Sequence, residues 1–332
     1  MDVCTATPVA AATCRLHPGR GPAPLLRPPD TTMDVEDPQM AAVVANFFDL
    51  GKAIAADPDL SNEKLSELRK WSEGRGDEIF PGMTDMQLLL FLQSCYGDLE
   101  KTKECMIKYF HCILDVPQFF DHWDVDRDQI KQGLDTVFYA PMPKLSPKNH
   151  LMILCRFRHT DASKYVFSDG SRIFMMTSEA QFLVRGPQEG LSVVMDMTNM
   201  CFSHLWRFPV PLVRRFIGMI QEGMPVRLKE IHIVNCSYFL PTLMSFLKPF
   251  MKKELADLIQ CHSGAMDSFH EQFPAEYLPT ELGGTAGTFQ EHHDNNVRLL
   301  AKLKPLWTAK DKWSAAQRLD RDKGSDSNSD SD

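Results

Sequence analysis

A thiol and an imidazole stand three residues apart, directly after a stretch that is predicted to be a β-strand. The pair is Cys201 and His204, and the stretch is LSVVMDM at residues 191–197. Active sites of open α/β sheets lie beyond the carboxyl ends of their strands, and a cysteine with an adjacent histidine can act as a nucleophile with its base. No acidic residue that would orient His204 belongs to the motif. A thiol-dependent hydrolase that uses Cys201 is therefore kept only as an alternative.

Two other groups could do chemistry but have simpler structural interpretations. Asp196 is a single charge inside the same apolar stretch. A buried carboxylate must find partners, so a hydrogen bond or ion pair near the strand end is favoured over a catalytic acid. His292 and His293 are adjacent on a polar segment, but no third ligand stands at the spacing of a metal site. We predict that both imidazoles lie on the solvated surface and that the chain holds no metal.

The chain lacks the motifs that mark common catalytic and cofactor sites, namely GxSxG, the Walker loop, GxGxxG after a strand and HExxH. Its 332 residues carry a formal net charge of -8. This charge argues against a nucleic-acid partner, because proteins that bind nucleic acids present a basic surface. No stretch reaches the roughly 18 consecutive apolar residues of a transmembrane helix. The nine cysteines include no CxxC pair, which favours free thiols in a reducing cytoplasm.

The elements that must position these residues alternate between strand and helix. Three apolar stretches are predicted strands, and another stretch is a candidate for a fourth. They cover residues 151–157, 191–197, 231–235 and 258–262. Helical patterns cover residues 169–184, 211–222 and 241–257. Strands that alternate with helices of about 10–15 residues predict βαβ units and a largely parallel sheet, and hence an α/β fold.

The chain divides into four predicted parts. They are residues 1–38, 39–125, 133–290 and 291–332. The first is a leader rich in Ala, Pro and Arg that is predicted to be disordered. The second is a small helical module in which Ser61, Thr84 and Asp98 are candidate N-caps. The third holds the α/β domain. The fourth is a C-terminal extension with an acidic Ser/Asp tail, and the chain after about Trp313 is predicted to have too little apolar area to fold.

The segment after the third predicted strand has more apolar surface than one buried helix face needs. Pro249 interrupts it, and a proline kinks or ends the helix that it enters. Its large apolar side chains are Leu243, Met244, Phe246, Leu247, Phe250 and Met251. Two interpretations remain open: a movable lid over an apolar cavity that meets a membrane, and an ordinary core helix that ends at Leu247.

An ordered set of motifs in residues 191–284 resembles the CRAL-TRIO lipid-binding family. The matching segments are VVMDMTNMCFSH (193–204), PVRLKEIHIVN (225–235), KPF (248–250) and FPAEYLPTELGG (273–284). Upstream, residues 85–106 resemble the helical module that precedes the family's domain, although Leu90 and Gln93 replace its two arginines. The resemblance covers about residues 60–290.

The resemblance implies a pocket with the sheet as floor, helices as walls and the segment with Pro249 as lid, and it implies no catalysis. The wall positions are Phe174, Ser178, Phe182, Leu191, Phe216, Met219, Ile220 and Val226. The apolar side chains of the lid would close the pocket. Ser178 could hydrogen-bond a ligand hydroxyl, although a serine in a helix often bonds its own backbone instead.

A basic patch that reads phosphoinositide head groups in one member of the family has partial counterparts here. Arg227 and Lys229 match two of its positions, whereas Glu254 and Leu258 occupy the other two. Nearby lysines could substitute, because a point charge needs less geometry than a bidentate arginine. They are Lys248, Lys252 and Lys253.

The resemblance therefore implies a monomeric, non-catalytic, cytoplasmic carrier that associates transiently with membranes. Its expected ligand is one hydrophobic molecule of the tocopherol, retinoid or other isoprenoid type, and no further cofactor is expected. Two alternatives remain open. One is a phosphoinositide or phospholipid exchange protein, and the other is a protein-interaction scaffold whose pocket is filled.

Overall fold

The computed structural model describes residues 47–236, 238–262 and 266–326. The predicted leader and the last six residues of the acidic tail lie outside the described residues. The helical module comes first, and its helices range from 4 to 17 residues in length. Its helices are α1 (Leu50–Ala56), α2 (Asn62–Glu73), α3 (Asp85–Ser94), α4 (Leu99–Asp115), α5 (Pro117–Phe120) and α6 (Asp128–Thr136).

Side chains that accept backbone N–H groups begin α2, α3 and α4, as the sequence predicted. The Ser61 hydroxyl accepts from the amide of Lys64, and the Asp98 carboxylate accepts from that of Lys101. Thr84 and Gln87 form a reciprocal capping box. Gly97 has φ 68°, the left-handed conformation that ends the turn after α3.

A five-stranded sheet follows the module. Its strands are β1 (Val137–Pro141), β2 (His150–Phe157), β3 (Gly190–Asp196), β4 (Leu228–Val234) and β5 (Ile259–Cys261). They lie in the order β1-β2-β3-β4-β5, with β1 antiparallel to β2 and the other neighbours parallel. The predicted largely parallel sheet is confirmed, and β1 is an antiparallel edge strand that the sequence did not predict.

Helices connect the strands and complete the chain. They are α7 (Phe167–Arg185), α8 (Val210–Glu222), α9 (Leu240–Leu247), α10 (Lys253–Ala256), α11 (Asp267–His270), α12 (Phe289–Lys302) and α13 (Lys304–Asp326). Short 3-10 turns lie at Gly76–Glu78, Ala162–Lys164, Phe202–Arg207, Lys248–Phe250, Ala275–Tyr277 and Thr280–Leu282. In the part of the chain that the structure describes, no helix is long and apolar enough to cross a bilayer.

The two faces of the sheet pack against different parts of the chain. The first face carries Leu191, Val193 and Met195 of β3, and its core packs against α7 and α8, with α9 at the carboxyl ends of the strands. The second face carries Val194 of β3, and it packs against the C-terminal part of the domain and the start of α12. The apolar contacts of this second face include Phe269, Phe273, Leu278, Leu282 and Phe289.

Helix α13 corrects the prediction that the chain after Trp313 does not fold. It runs to Asp326, and Trp313 packs edge-on against Phe110 with ring centroids 5.4 Å apart. Trp307 of the same helix packs against Trp123 at 5.0 Å. The helix is polar on average, but a few large aromatic side chains bury enough surface against the helical module to hold it.

One buried charge joins three distant parts of the chain. The ammonium of Lys310 on α13 is 3.0 Å from a carboxylate oxygen of Glu179 on α7, and it lies 3.6 Å from the ring centroid of Trp123. The hydroxyl of Tyr109 on α4 donates to the same carboxylate oxygen at 2.9 Å. Burial lowers the pKa of Lys310, and the carboxylate of Glu179 opposes this shift.

Candidate functional site

An accessible side chain in the middle of the sheet marks the candidate site. Met195 points from the first face of β3, which has a neighbour on both sides, and yet it is 44% exposed. Cys155 lies opposite it on β2 and is also partly accessible. Burial nevertheless raises the pKa of the Cys155 thiol to about 12. Accessible side chains at the centre of a sheet are expected where the elements that cover this face leave space above it.

The predicted wall residues fall into two groups. Four are partly accessible and pack against the main core, and they are Phe174, Phe216, Ile220 and Val226. The other four are almost fully buried, and they are Ser178, Phe182, Leu191 and Met219. The Ser178 hydroxyl donates to the carbonyl of Phe174 in its own helix at 2.9 Å, which is the backbone bond that the sequence left open. All eight residues stay predictions as ligand contacts.

Phe216 is the centre of an aromatic cluster on α8. Its ring centroid lies 5.6 Å from that of Phe119, 5.8 Å from that of Phe167 and 6.2 Å from that of Phe174. The cluster joins α5, α7 and α8, so it fixes the two helices that face the first side of the sheet. Because Phe216 remains partly accessible within this cluster, it presents one apolar surface to the space beside it.

The predicted lid is a broken element. Helix α9 ends at Leu247, and the 3-10 turn with Pro249 follows at Lys248–Phe250. Leu243 is buried. The other five apolar side chains of the segment are partly accessible: Met244, Phe246, Leu247, Phe250 and Met251. The core-helix interpretation is correct about where the helix ends, and the lid interpretation stays a prediction.

Polar contacts hold the end of this segment to α8. The amide of Lys252 donates to the side-chain oxygen of Gln221 at 2.6 Å, and the Gln221 side-chain amide donates to the carbonyl of Phe250 at 3.4 Å. The Lys252 ammonium pairs with Glu222 at 2.5 Å. Lys252 is thus partly buried by its contacts, whereas Lys248 and Lys253 are exposed, and Lys253 pairs with Asp257 at 2.9 Å.

The two cations that match the phosphoinositide patch are held by the helical module. Arg227 is only 9% exposed and lies 3.8 Å from the ring centroid of Tyr96. Its guanidinium is 3.8 Å from Asp57 and 3.5 Å from Asp59. Lys229 donates to the Tyr96 hydroxyl at 2.8 Å. In this conformation the loop after α3 and the segment before α2 occupy Arg227, so its role in head-group recognition stays a prediction.

An exposed aromatic surface beside the lid was missed in the sequence. It consists of Phe202, Trp206 and Tyr238, which are 41%, 81% and 86% exposed. The Phe202 ring packs against those of Trp206 at 6.4 Å and Phe239 at 6.2 Å, and Phe239 directly precedes α9. The signal in the sequence was the pattern FSHLW at residues 202–206, of which only His204 was considered as a functional group.

A family model described as the CRAL/TRIO domain matches residues 137–284. The chain contains a CRAL/TRIO domain. Its floor is β1 to β5, and both the accessible Met195 and the segment with Pro249 lie within the matched residues. This match confirms the predicted CRAL-TRIO resemblance for residues 137–284, and the proteins of that family bind or transfer lipids.

Two relatives cover most of the chain at low identity. The "Alpha-tocopherol transfer protein-like" of Homo sapiens is 25% identical over 246 residues, which is 74% of this chain and 71% of that protein. "Clavesin-2" of Homo sapiens is 24% identical over 230 residues, which is 68% of this chain and 70% of that protein. A solved structure, "Crystal structure of Sfh5", aligns with 87% of this chain and 99% of that one at a TM-score of 0.48 and 11% identity. A structural likeness at that level does not bear on the assignment.

The Cys201–His204 pair of the CRAL/TRIO domain forms a contact, but its geometry is that of a cap. The sulfur lies 3.1 Å from Nδ1 of His204. The same Nδ1 accepts the backbone N–H of Cys201 at 3.1 Å, and the thiol is 3.2 Å from the carbonyl of Thr160. Burial lowers the pKa of His204, which favours a neutral ring that accepts at Nδ1. The imidazole therefore caps the start of the 3-10 turn by accepting a backbone hydrogen bond.

Asp196 and the paired histidines are also structural. The Asp196 carboxylate accepts from the Thr198 amide at 2.9 Å and from the Asn235 side chain at 2.9 Å. His292 and His293 follow the CRAL/TRIO domain and are buried, so the prediction that they lie on the solvated surface was wrong. His293 accepts the backbone N–H of Tyr139 on β1 at 3.1 Å, because α12 packs against this edge strand. Burial lowers the pKa of His293 to about 4.

Proposed function

We propose that this chain carries one hydrophobic molecule of the isoprenoid type in a pocket over the first face of its sheet and transfers it between membranes. The observation that carries the proposal is the accessible surface of Met195 in the centre of the sheet floor. Family membership alone would allow a filled pocket. Met195 lies on an interior strand and is 44% exposed, and this exposure favours an open space above the sheet in which a ligand could bind.

The chemistry of the surrounding side chains favours an apolar ligand. Around Met195 the first face and its helices offer thiol, thioether, aliphatic and aromatic groups. The accessible members are Cys155, Phe157, Phe174, Phe216, Ile220, Ile231, Phe246 and Leu247. Burying roughly 400 Å² of apolar ligand surface contributes on the order of 10 kcal/mol before ordering costs. That contribution is enough for a lipid to stay bound in water.

The ligand class can be read from the purified protein. Organic extracts of the full chain, analysed by mass spectrometry, are expected to contain one isoprenoid species at close to one molecule per protein. A phospholipid in its place would favour the exchange alternative. Extracts without lipid, from protein that also takes up no added tocopherol or retinoid, would favour the scaffold and contradict the proposal.

Met195→Trp is expected to reduce ligand occupancy about tenfold without loss of stability. The larger indole side chain would occupy part of the space beside Met195. Because the ligand needs the same volume, the indole ring excludes it sterically and weakens its binding. Uptake of a fluorescent tocopherol or retinoid measures the occupancy, and thermal unfolding measures the stability.

Met195→Leu is the matched control, because it conserves volume and chemistry. Unchanged uptake in the tryptophan variant would mean that Met195 faces open solvent and not a pocket. A large loss of stability would mean that the position is already packed.

The membrane step is proposed to use the aromatic surface of Phe202, Trp206 and Tyr238. Aromatic side chains are suited to the interface between head groups and acyl chains, and exposed apolar patches mark interaction sites. This surface adjoins Phe239, where α9 begins. If the aromatic surface inserts into a membrane, the membrane would therefore lie beside the proposed lid. Lys248 and Lys253 are exposed on the same segment and would favour anionic lipid.

The double variant Phe202→Ala/Trp206→Ala is expected to bind vesicles of phosphatidylcholine and phosphatidylserine about tenfold more weakly. Partial burial of the two rings in the lipid interface contributes about 1.5 kcal/mol. Co-sedimentation measures the binding. Leu319→Ala, which truncates an exposed side chain on α13, is the matched control. Equal binding by the double variant and the unaltered protein would remove the aromatic surface from the membrane step.

A further inference from the structure

A line of side chains connects a buried carboxylate to an exposed hydroxyl on the second face of the sheet. The Ser268 Oγ lies 2.9 Å from Nδ1 of His262. Nε2 of His262 lies 3.0 Å from Nδ1 of His232. Nε2 of His232 lies 3.5 Å from a carboxylate oxygen of Glu230. We call this line the serine relay. None of its members belongs to the proposed lipid pocket, which lies over the first face.

A single arrangement of protons fits all of these contacts. If the Ser268 hydroxyl donates to Nδ1 of His262, that ring carries its proton on Nε2 and donates to His232. His232 then carries its proton on Nε2, which makes no hydrogen bond and faces the Glu230 carboxylate at 3.5 Å, so this last link is electrostatic. The relay therefore has one direction, with the proton acceptor next to the hydroxyl and the negative charge at the far end.

The buried end of the relay is built to remain charged. Burial opposes ionisation of Glu230, but Lys148 and the Ser192 hydroxyl bond its carboxylate and lower its pKa to about 2. His232 is fully buried, and burial lowers its pKa to about 4 against the attraction of Glu230. His262 is buried as well, and its pKa is lowered by burial. Both rings are consequently neutral at pH 7, which leaves His262 able to accept a proton.

The outer end of the relay faces solvent. Ser268 is exposed, whereas the two rings and the carboxylate behind it are buried. This separation leaves the nucleophile accessible and its base shielded. A nucleophile within about 2.6–3.2 Å of a base that a third group orients is the arrangement of nucleophilic serine sites. Such sites are recognised by geometry and not by sequence position.

We propose that Ser268 is a nucleophile for carboxylic esters, with His262 as its base and His232 and Glu230 as positioning residues. The Ser268 oxygen attacks the ester carbonyl carbon, and its proton passes to Nδ1 of His262. The bond from carbon to the alcohol oxygen then breaks, and the alcohol leaves with the proton from Nδ1. Water releases the carboxylic acid from the serine by the same route. The charge that His262 carries between these transfers is stabilised through His232 by the Glu230 carboxylate.

The test uses the full chain with a fluorophosphonate probe and with p-nitrophenyl acetate. Peptide mass spectrometry is expected to locate the phosphonate on Ser268. The release of p-nitrophenolate should fall about 100-fold in Ser268→Ala, because this variant has no hydroxyl that His262 could activate as a nucleophile. Ser66→Ala, an exposed serine on α2, is the matched control and should behave as the unaltered chain.

His262→Gln separates a relay from a merely exposed hydroxyl. This variant keeps Ser268 but removes the base, so labelling at Ser268 should slow about 100-fold while thermal unfolding shows that the variant folds. If it does not fold, Glu230→Gln is used instead, and it should change the pH profile of labelling. The proposal is overturned if the fluorophosphonate probe does not modify Ser268. It is also overturned if Ser268→Ala releases p-nitrophenolate as fast as the unaltered chain does. Lipid occupancy should be unchanged in Ser268→Ala, so this test is independent of the proposed carrier function.

Discussion

Phe216→Asp is expected to abolish retention of a bound lipid. The partly accessible ring of Phe216 lies at the centre of the aromatic cluster beside the first face of the sheet. An ionised carboxylate there must either face the ligand without a partner or draw water into the apolar space, which costs about 3 kcal/mol or more. That cost corresponds to at least about 100-fold weaker binding. Mass spectrometry of extracted lipid and uptake of a fluorescent isoprenoid measure the loss.

Arg214→Asp is the matched control, because it places the same carboxylate on the exposed side of the same helix. It should retain lipid as the unaltered protein does. A Phe216→Asp protein that folds and still co-purifies with its lipid would contradict the assignment of the pocket. Phe216→Leu, which keeps the wall apolar, should lose much less binding than the aspartate variant.

The CRAL/TRIO floor and its helices were predictable because local patterns decide them. The continuous apolar stretches of β2 and β3 are typical of strands that are covered on both faces. The caps at Ser61, Thr84 and Asp98 were readable because each depends on contacts within three residues. Strand β1 was missed because it is five residues long and its pairing with β2 is a contact that no local pattern records.

The parts of the site that failed to be predicted depend on long-range contacts. Arg227 is a surface cation in the sequence, and only the folded chain brings Asp57, Asp59 and Tyr96 onto it. The paired histidines are polar in sequence, yet in the fold His293 packs against β1 and His292 lies against the carbonyl of Ala286. The serine relay joins residues from β4 and from the chain after β5 that have no common motif. In each case tertiary neighbours override what composition suggests.

Glu179→Ala is expected to destabilise the protein by about 3–5 kcal/mol, because it leaves the buried ammonium of Lys310 without its counterion. The same change leaves the Tyr109 hydroxyl without its acceptor. Urea denaturation followed by tryptophan fluorescence measures the free energy of unfolding, and Trp123 and Trp307 lie beside the charge as reporters.

The double variant Glu179→Ala/Lys310→Met provides the internal control. It removes both charges and keeps a flexible side chain of similar length, so it should recover most of the lost stability. A single variant that unfolds at the same urea concentration as the unaltered protein would show that water already reaches the ammonium and that the charge is not truly buried.

The position of α13 in the chain has a consequence for synthesis. Trp307 and Trp313 cover side chains of the helical module, whose own residues leave the ribosome some two hundred residues earlier. Domains otherwise tend to fold in the order in which they emerge. Here Phe80, Phe110 and Trp123 lack the rings that cover them until residues 307–313 have been translated. The nascent protein therefore passes through a long stage with an uncovered aromatic surface, and this is the stage at which chaperones are expected to bind it.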